Sequence, residues 1–87
     1  MKNSDFSDIS TLVHLEVNRQ DNKWGEDQVH SVTEWMTILM EEVGEAAQAV
    51  LKQERNAYIS EAIQVAAVIF QMLQADFKGN YPDKEDS

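Results

Sequence analysis

The stretch from about Ala57 to Phe77 is apolar around most of a helical circumference, with only a narrow polar strip through Ser60, Gln64, Gln71 and Gln74. A helix of that kind has to be covered on more than one side. The chain has 87 residues, one domain over 1–87, and two other helices of one chain leave part of that surface uncovered. The expectation is therefore an all-α oligomer, a homodimer or homotetramer, with this helix at its centre. The hydrophobic fraction of 43% is enough for a globular protein. The net charge of −9, from 7 basic and 16 acidic residues, argues against a nucleic-acid partner, whose backbone needs a basic surface, and against anionic membranes. There is no cysteine, so disulfides, thiolate nucleophiles and zinc–thiolate sites are excluded. Met1-Lys2-Asn3-Ser4-Asp5 carries no apolar signal segment, and the longest apolar run, Val65 to Phe70, is too short to span a bilayer. A soluble, cytoplasmic protein is expected.

Two helices are read before the apolar one. From about Asp5 to Gln20, Phe6, Ile9, Val13 and Val17 recur at three- and four-residue spacing, which predicts a short first helix capped by Ser4 or Asp5. His14 lies at the margin of that stripe and reads as a surface histidine. Asp21 to His30 has no clear period and contains Gly25, so it reads as a loop, long enough to suggest a functional role. Ser31-Val32-Thr33-Glu34 matches a capping box at the start of a second helix. Trp35, Met36, Leu39, Met40, Val43, Ala46, Ala47 and Val50 fill an arc about 140° wide, which is expected to be buried. Gly44 inside that helix suggests close approach of another helix or a ligand. Lys52 to Asn56 reads as a tight connection with Asn56 capping the third helix, and about 79–87 as an acidic, mobile tail.

A short connection makes the second and third helices an antiparallel hairpin, in which facing residue numbers sum to about 106. Glu45 is then level with Glu61, and Glu42 with Gln64. Glu42 and Glu45 lie about 60° apart on their helix at the edge of the apolar arc, whereas Glu41 points about 100° away from Glu42. Two carboxylates roughly 6 Å apart repel by about 3 kcal/mol at an effective dielectric near 20, so such a cluster has to take up a cation or a proton. All-oxygen ligation suits Mg²⁺, with Mn²⁺ as the alternative. The competing reading is a solvated glutamate face, and the residues alone leave both open.

Glu41-Glu42-Val43-Gly44-Glu45 followed by Glu61-Ala62-Ile63-Gln64 resembles the paired Glu-Glu-x-x-Glu and Glu-x-x-Asp motifs of the MazG-like, all-α nucleoside triphosphate pyrophosphohydrolases. The apolar Ile38-Leu39-Met40, the small residues after Glu45, and the upstream Trp24 with Gln28-Val29-His30 extend the resemblance over about Arg19 to Leu73. It implies Mg²⁺-dependent hydrolysis of a nucleoside triphosphate to the monophosphate and pyrophosphate, in an oligomer resembling a four-helix bundle. The implied metal ligands are Glu42, Glu45, Glu61 and Gln64, with Glu41 or Glu45 as the base. Trp24 would stack on the nucleobase or fill a core, and His30 would contact base or phosphate or simply begin the helix. Lys23, Arg19 and Lys52 are the nearby cations for phosphate contact, and the reading that each is a plain surface charge outweighs that role. The chain departs from the family pattern at Gln64, where an aspartate is expected and an amide carries no charge.

Overall fold

The computed structural model describes residues 1–25 and 30–79, apart from the side chain of Trp24, and contains three helices and no strand among them. Helix α1 spans Asn3–Trp24, α2 Val32–Leu51 and α3 Arg55–Phe77. α3 is the central element: α2 packs along it and α1 packs against it.

α1 has 22 residues and is not the short helix the stripe predicted. Asp21 to Trp24, expected in a loop, continue it because none of them breaks a helix. It stops at Gly25, whose φ of +90° is readily adopted only by glycine and whose N–H donates to the Asp21 carbonyl at 2.7 Å. At the other end Lys2 holds the cap position without a side-chain bond, so Ser4 and Asp5 lie in the first turn and do not cap it. The expected stripe is divided: Val13 is buried and Val17 half-buried, but Phe6 and Ile9 are exposed. Only the C-terminal half of that stripe is covered. His14 is exposed, as expected.

α2 opens with the predicted capping box: Glu34 N–H donates to Ser31 Oγ at 3.2 Å, and Ser31 N–H donates to Glu34 Oε1 at 2.8 Å. Trp35 is 6% exposed and forms a core with Val68 and Ala75 of α3, against which Val32, Ile38, Leu39 and Met72 pack. The apolar arc is only partly covered. Met36, Met40, Val43, Ala47 and Val50 are exposed, because α3 fills one flank of the arc and no other described element fills the second. A Cβ built at Gly44 meets nothing within 4 Å, so no described helix of the same chain accounts for a glycine that costs α2 about 1 kcal/mol relative to alanine.

The hairpin turn is Lys52-Gln53-Glu54. Gln53 N–H donates to the Val50 carbonyl at 3.0 Å and Glu54 N–H to the Ala49 carbonyl at 2.9 Å, the paired bonds of a Schellman turn. Gln53 takes the left-handed position, with φ +59°, that glycine usually fills. Asn56 is not the cap of α3: Glu54 precedes the first helical residue, and Asn56 lies within the first turn. At the far end Gly79, φ +87°, donates to the Asp76 carbonyl at 2.9 Å and ends α3 where the sequence predicts. Residues 26–29 of the expected loop and 80–87 of the expected tail lie outside the described residues. No helix among the described residues is long and apolar enough to cross a membrane.

Left-handed backbone costs a non-glycine residue about 1–2 kcal/mol, of which glycine recovers part after its own entropy loss. Gln53→Gly is expected to stabilise the fold by about 0.5–1 kcal/mol and Gln53→Val to destabilise it, as read by chemical denaturation.

Candidate metal centre

The hairpin register brings together three of the four expected ligands. Glu42 and Glu45, one turn apart on α2, and Glu61 on α3 each offer an oxygen, and these oxygens all lie within 4.8 Å of one another. Like charges at that separation repel by about 3.5 kcal/mol per pair at an effective dielectric near 20. Glu42 and Glu61 are half-buried, and Glu45 is the exposed member. Glu42 Oε1 and Glu61 Oε2 are sealed from solvent and have no hydrogen-bond partner. Buried carboxylate oxygens without a donor are costly unless a cation or a proton meets them. The donor set, three carboxylates, fits a hard divalent cation.

Gln64, the fourth expected ligand, is half-buried one turn beyond Glu61. Its Nε2 donates to Glu61 Oε1 at 3.3 Å and to Ser60 Oγ at 3.3 Å. The amide thus acts as a donor that steadies Glu61. Glu41, one of the two candidates for a base, is exposed and outside the three-carboxylate group, as its 100° offset implies. His30 lies just before α2, with Nδ1 3.6 Å from Glu34 Oε1 and its ring edge-on to Trp35 at a centroid distance of 4.9 Å. It stands about 18 Å along the helix from Glu42. Lys23 is exposed in the last turn of α1, and the side chain of Trp24 is outside the described set. Trp35, expected in the core, is there.

α1 contributes residues that the motifs do not contain. Glu16 is held by Arg19, whose Nε and Nη2 donate to its two oxygens at 2.9 and 2.7 Å, and by Gln20 Nε2 at 3.2 Å. Gln20, 2% exposed, accepts from Gln71 Nε2 at 3.4 Å, and Gln71, 7% exposed, also donates to Asp21 Oδ1 at 3.2 Å. Gln71 therefore faces α1 and not solvent. The available signal was positional: Glu16 and Gln20 follow Val13 at three- and seven-residue spacing, on the face that packs.

The electrostatics join the two groups. Burial, then Glu61, then Glu45, push the Glu42 carboxyl up to about 7. Glu61 is also raised, first by burial and then by Glu45, with a further contribution from the charge of Glu16. The Arg19 guanidinium is held more firmly in its charged form, chiefly by Glu16 and to a smaller extent by Glu42. Without a cation, burial and mutual repulsion favour uptake of a proton by the Glu42–Glu61 pair as pH falls toward 7.

Glu42 releases that proton near its ordinary 4.5 when unfolded and near 7 when folded. The native state binds the extra proton, so this contribution to stability is full below the unfolded value and is lost as pH rises through the folded one. Melts of the metal-free protein are expected to show Tm falling between about pH 5 and pH 8. Glu42→Gln should flatten that fall; an unchanged slope would assign it to the overall negative charge instead.

No family model, curated protein or solved structure matches the chain.

Proposed function

We propose that the protein is a Mg²⁺-dependent nucleoside triphosphate pyrophosphohydrolase acting in the cytoplasm. The supporting observation is the meeting of Glu42, Glu45 and Glu61 within 4.8 Å, with a sealed, unpartnered oxygen on two of them. Those residues follow the order and helical setting of the MazG-like motifs. Glu42, Glu45 and Glu61 would hold the ion, with Gln64 orienting Glu61. When bound, Mg²⁺, or Mn²⁺ in its place, supplies charge neutralisation for the phosphates and acidifies water next to phosphorus. Glu45 is the exposed member of the cluster and so the one placed to take a proton from an attacking water. Its release of that proton to solvent completes the cycle.

The second reading is a relative that binds metal or nucleotide without turnover. It is favoured by Gln64, whose amide donates to Glu61 where the family pattern has a second acid. Thermal melts with and without Mg²⁺ and a panel of nucleoside triphosphates, followed by a pyrophosphate assay, separate the two. Stabilisation by Mg²⁺ with pyrophosphate release supports the enzyme, stabilisation alone supports the binding protein, and neither result would remove both. Gln64→Asp is expected to tighten Mg²⁺ by roughly ten-fold and raise turnover.

The assembly is proposed as a homodimer or dimer of dimers that buries the uncovered flank of α2. Met36, Met40, Val43, Ala47 and Val50 are spaced four, three, four and three residues apart, the repeat of a helix–helix seam, and all are exposed. A two-fold axis would set each seam against its own copy, giving the four-helix arrangement that α3 alone lacks. A charge on the seam, Met40→Glu, is expected to shift the mass measured by light scattering to that of the 9.9 kDa chain. A wild-type protein already at that mass would refute the assembly. A third reading, a helical interaction module whose glutamates only solubilise it, would be favoured if the seam captured a different chain and Mg²⁺ had no effect.

A further inference from the structure

We infer that the groove between the last two turns of α1 and the last two turns of α3 is a binding site for a small organic cation, a primary ammonium on an apolar body. The inference goes beyond the proposed metal centre and does not rest on it. Gln71, the buried residue of the groove, stands ten residues and so about 15 Å along α3 from Glu61.

The groove has a volume of about 390 Å³, within the range of small-molecule pockets. Its walls are apolar, with Val17 of α1 on one side and Phe70, Leu73 and Phe77 of α3 on the other. Those three are 60%, 51% and 81% exposed. Spaced three and four residues apart, they share one face of the helix, so their exposed surface is one patch and not scattered side chains.

The polar groups are set against that apolar surface. Asp21 is the one charged residue that lines the groove. It is half-buried, its Oδ1 accepts from Gln71 Nε2 at 3.2 Å, and no ion pair joins it to a cation among the described residues. Gln71 is 7% exposed and uses Nε2 on α1 alone, donating to Gln20 Oε1 at 3.4 Å and to Asp21. Its carbonyl Oε1 is then without a donor among the described residues, and an amide so buried calls for one. The buried end of the groove thus presents two acceptors, Gln71 Oε1 and the second oxygen of Asp21.

A primary ammonium carries three donors and one positive charge, which meets both acceptors at once. The surrounding field favours it. The carbonyl ends of two helices flank the groove, and the last turn of α3 carries no basic residue. Lys23 and Lys78, the cations nearest in sequence, are not among the lining residues. The faces of Phe70 and Phe77 attract a cation and cover its apolar body. On a chain of net charge −9 the same features repel an anion, and a neutral molecule of equal shape gains only the apolar walls.

Titration calorimetry and amide NMR spectra of the full chain with phenethylammonium, phenethyl alcohol and hydrocinnamate test the site. The ammonium is expected to bind with Kd on the order of 0.1–1 mM, at least about ten-fold tighter than the alcohol, with no binding of the carboxylate. Amide shifts should centre on Val17 to Asp21 and Phe70 to Phe77. Asp21→Asn keeps an acceptor for Gln71 and removes the charge, and should weaken the ammonium about ten-fold while leaving the alcohol unchanged. Phe70→Ala, at an exposed position, should weaken both by about three- to ten-fold. An alcohol that binds as tightly as the ammonium overturns the inference, as do shifts centred on Glu42, Glu45 and Glu61. The trimethylated ammonium keeps the charge and has no N–H, so equal binding of that form overturns the role of the two acceptors. A second copy of the chain closing the groove would make affinity fall as protein concentration rises, and overturns it too. The ligand comparisons use the wild-type chain and stand even where a variant fails to fold.

Discussion

The meeting of the three carboxylates depends on α2 lying against α3 in one register. Trp35 packs on Val68 and Ala75 at one end of the hairpin, and Glu42 and Glu45 meet Glu61 farther along the same seam. A slip of one turn would expose the tryptophan and part the carboxylates together. Local devices define the ends of the seam: the Ser31–Glu34 capping box at the start of α2 and the Schellman turn at Gln53. Each contributes on the order of 1 kcal/mol, a sizeable share of what a domain this small can have.

The carboxylate cluster works against that fold. Three acids within 4.8 Å, two of them half-buried, are what a sequence selected only for stability would avoid. Burial and the neighbouring acids raise the Glu42 carboxyl, so proton uptake there relieves the repulsion as pH falls toward 7. Gln64 relieves Glu61 by donating to it, whereas an aspartate there would add to the repulsion. One glutamine thus makes the metal-free state easier to hold and leaves the site with one charge fewer for a cation.

The three helices and the site's register were legible because they rest on local rules. Ser31 and Glu34 are a complete cap in themselves, Gly79 ends α3, and the facing of Glu45 with Glu61 follows from the length of one turn. What was not legible depended on which of several apolar faces finds a partner. Periodicity marks Phe6, Ile9, Met40 and Val43 as apolar, yet they are exposed, because a pattern reports the side on which a helix could bury and not whether anything is there. Gln71 was read with the polar strip of α3 but faces α1, since an amide on an interhelical face looks identical in sequence to one in water. Gly44 marks no contact with another described helix of the same chain.

The buried amides give α1 an unusual attachment. It is joined to α3 through the Gln20–Gln71–Asp21 bonds, which hold only in one register. A shift of one turn would leave two amides without partners at about 1–3 kcal/mol each, so α1 has one docked position and no near-equivalent neighbours. It also has little apolar area to release when it leaves. Detachment of the whole helix is therefore the opening expected at lowest cost, since α1 packs on α3 less extensively than α2 does. When α1 opens, the Glu16–Arg19 pair moves with it, while the hairpin of α2 and α3 keeps the three glutamates in register.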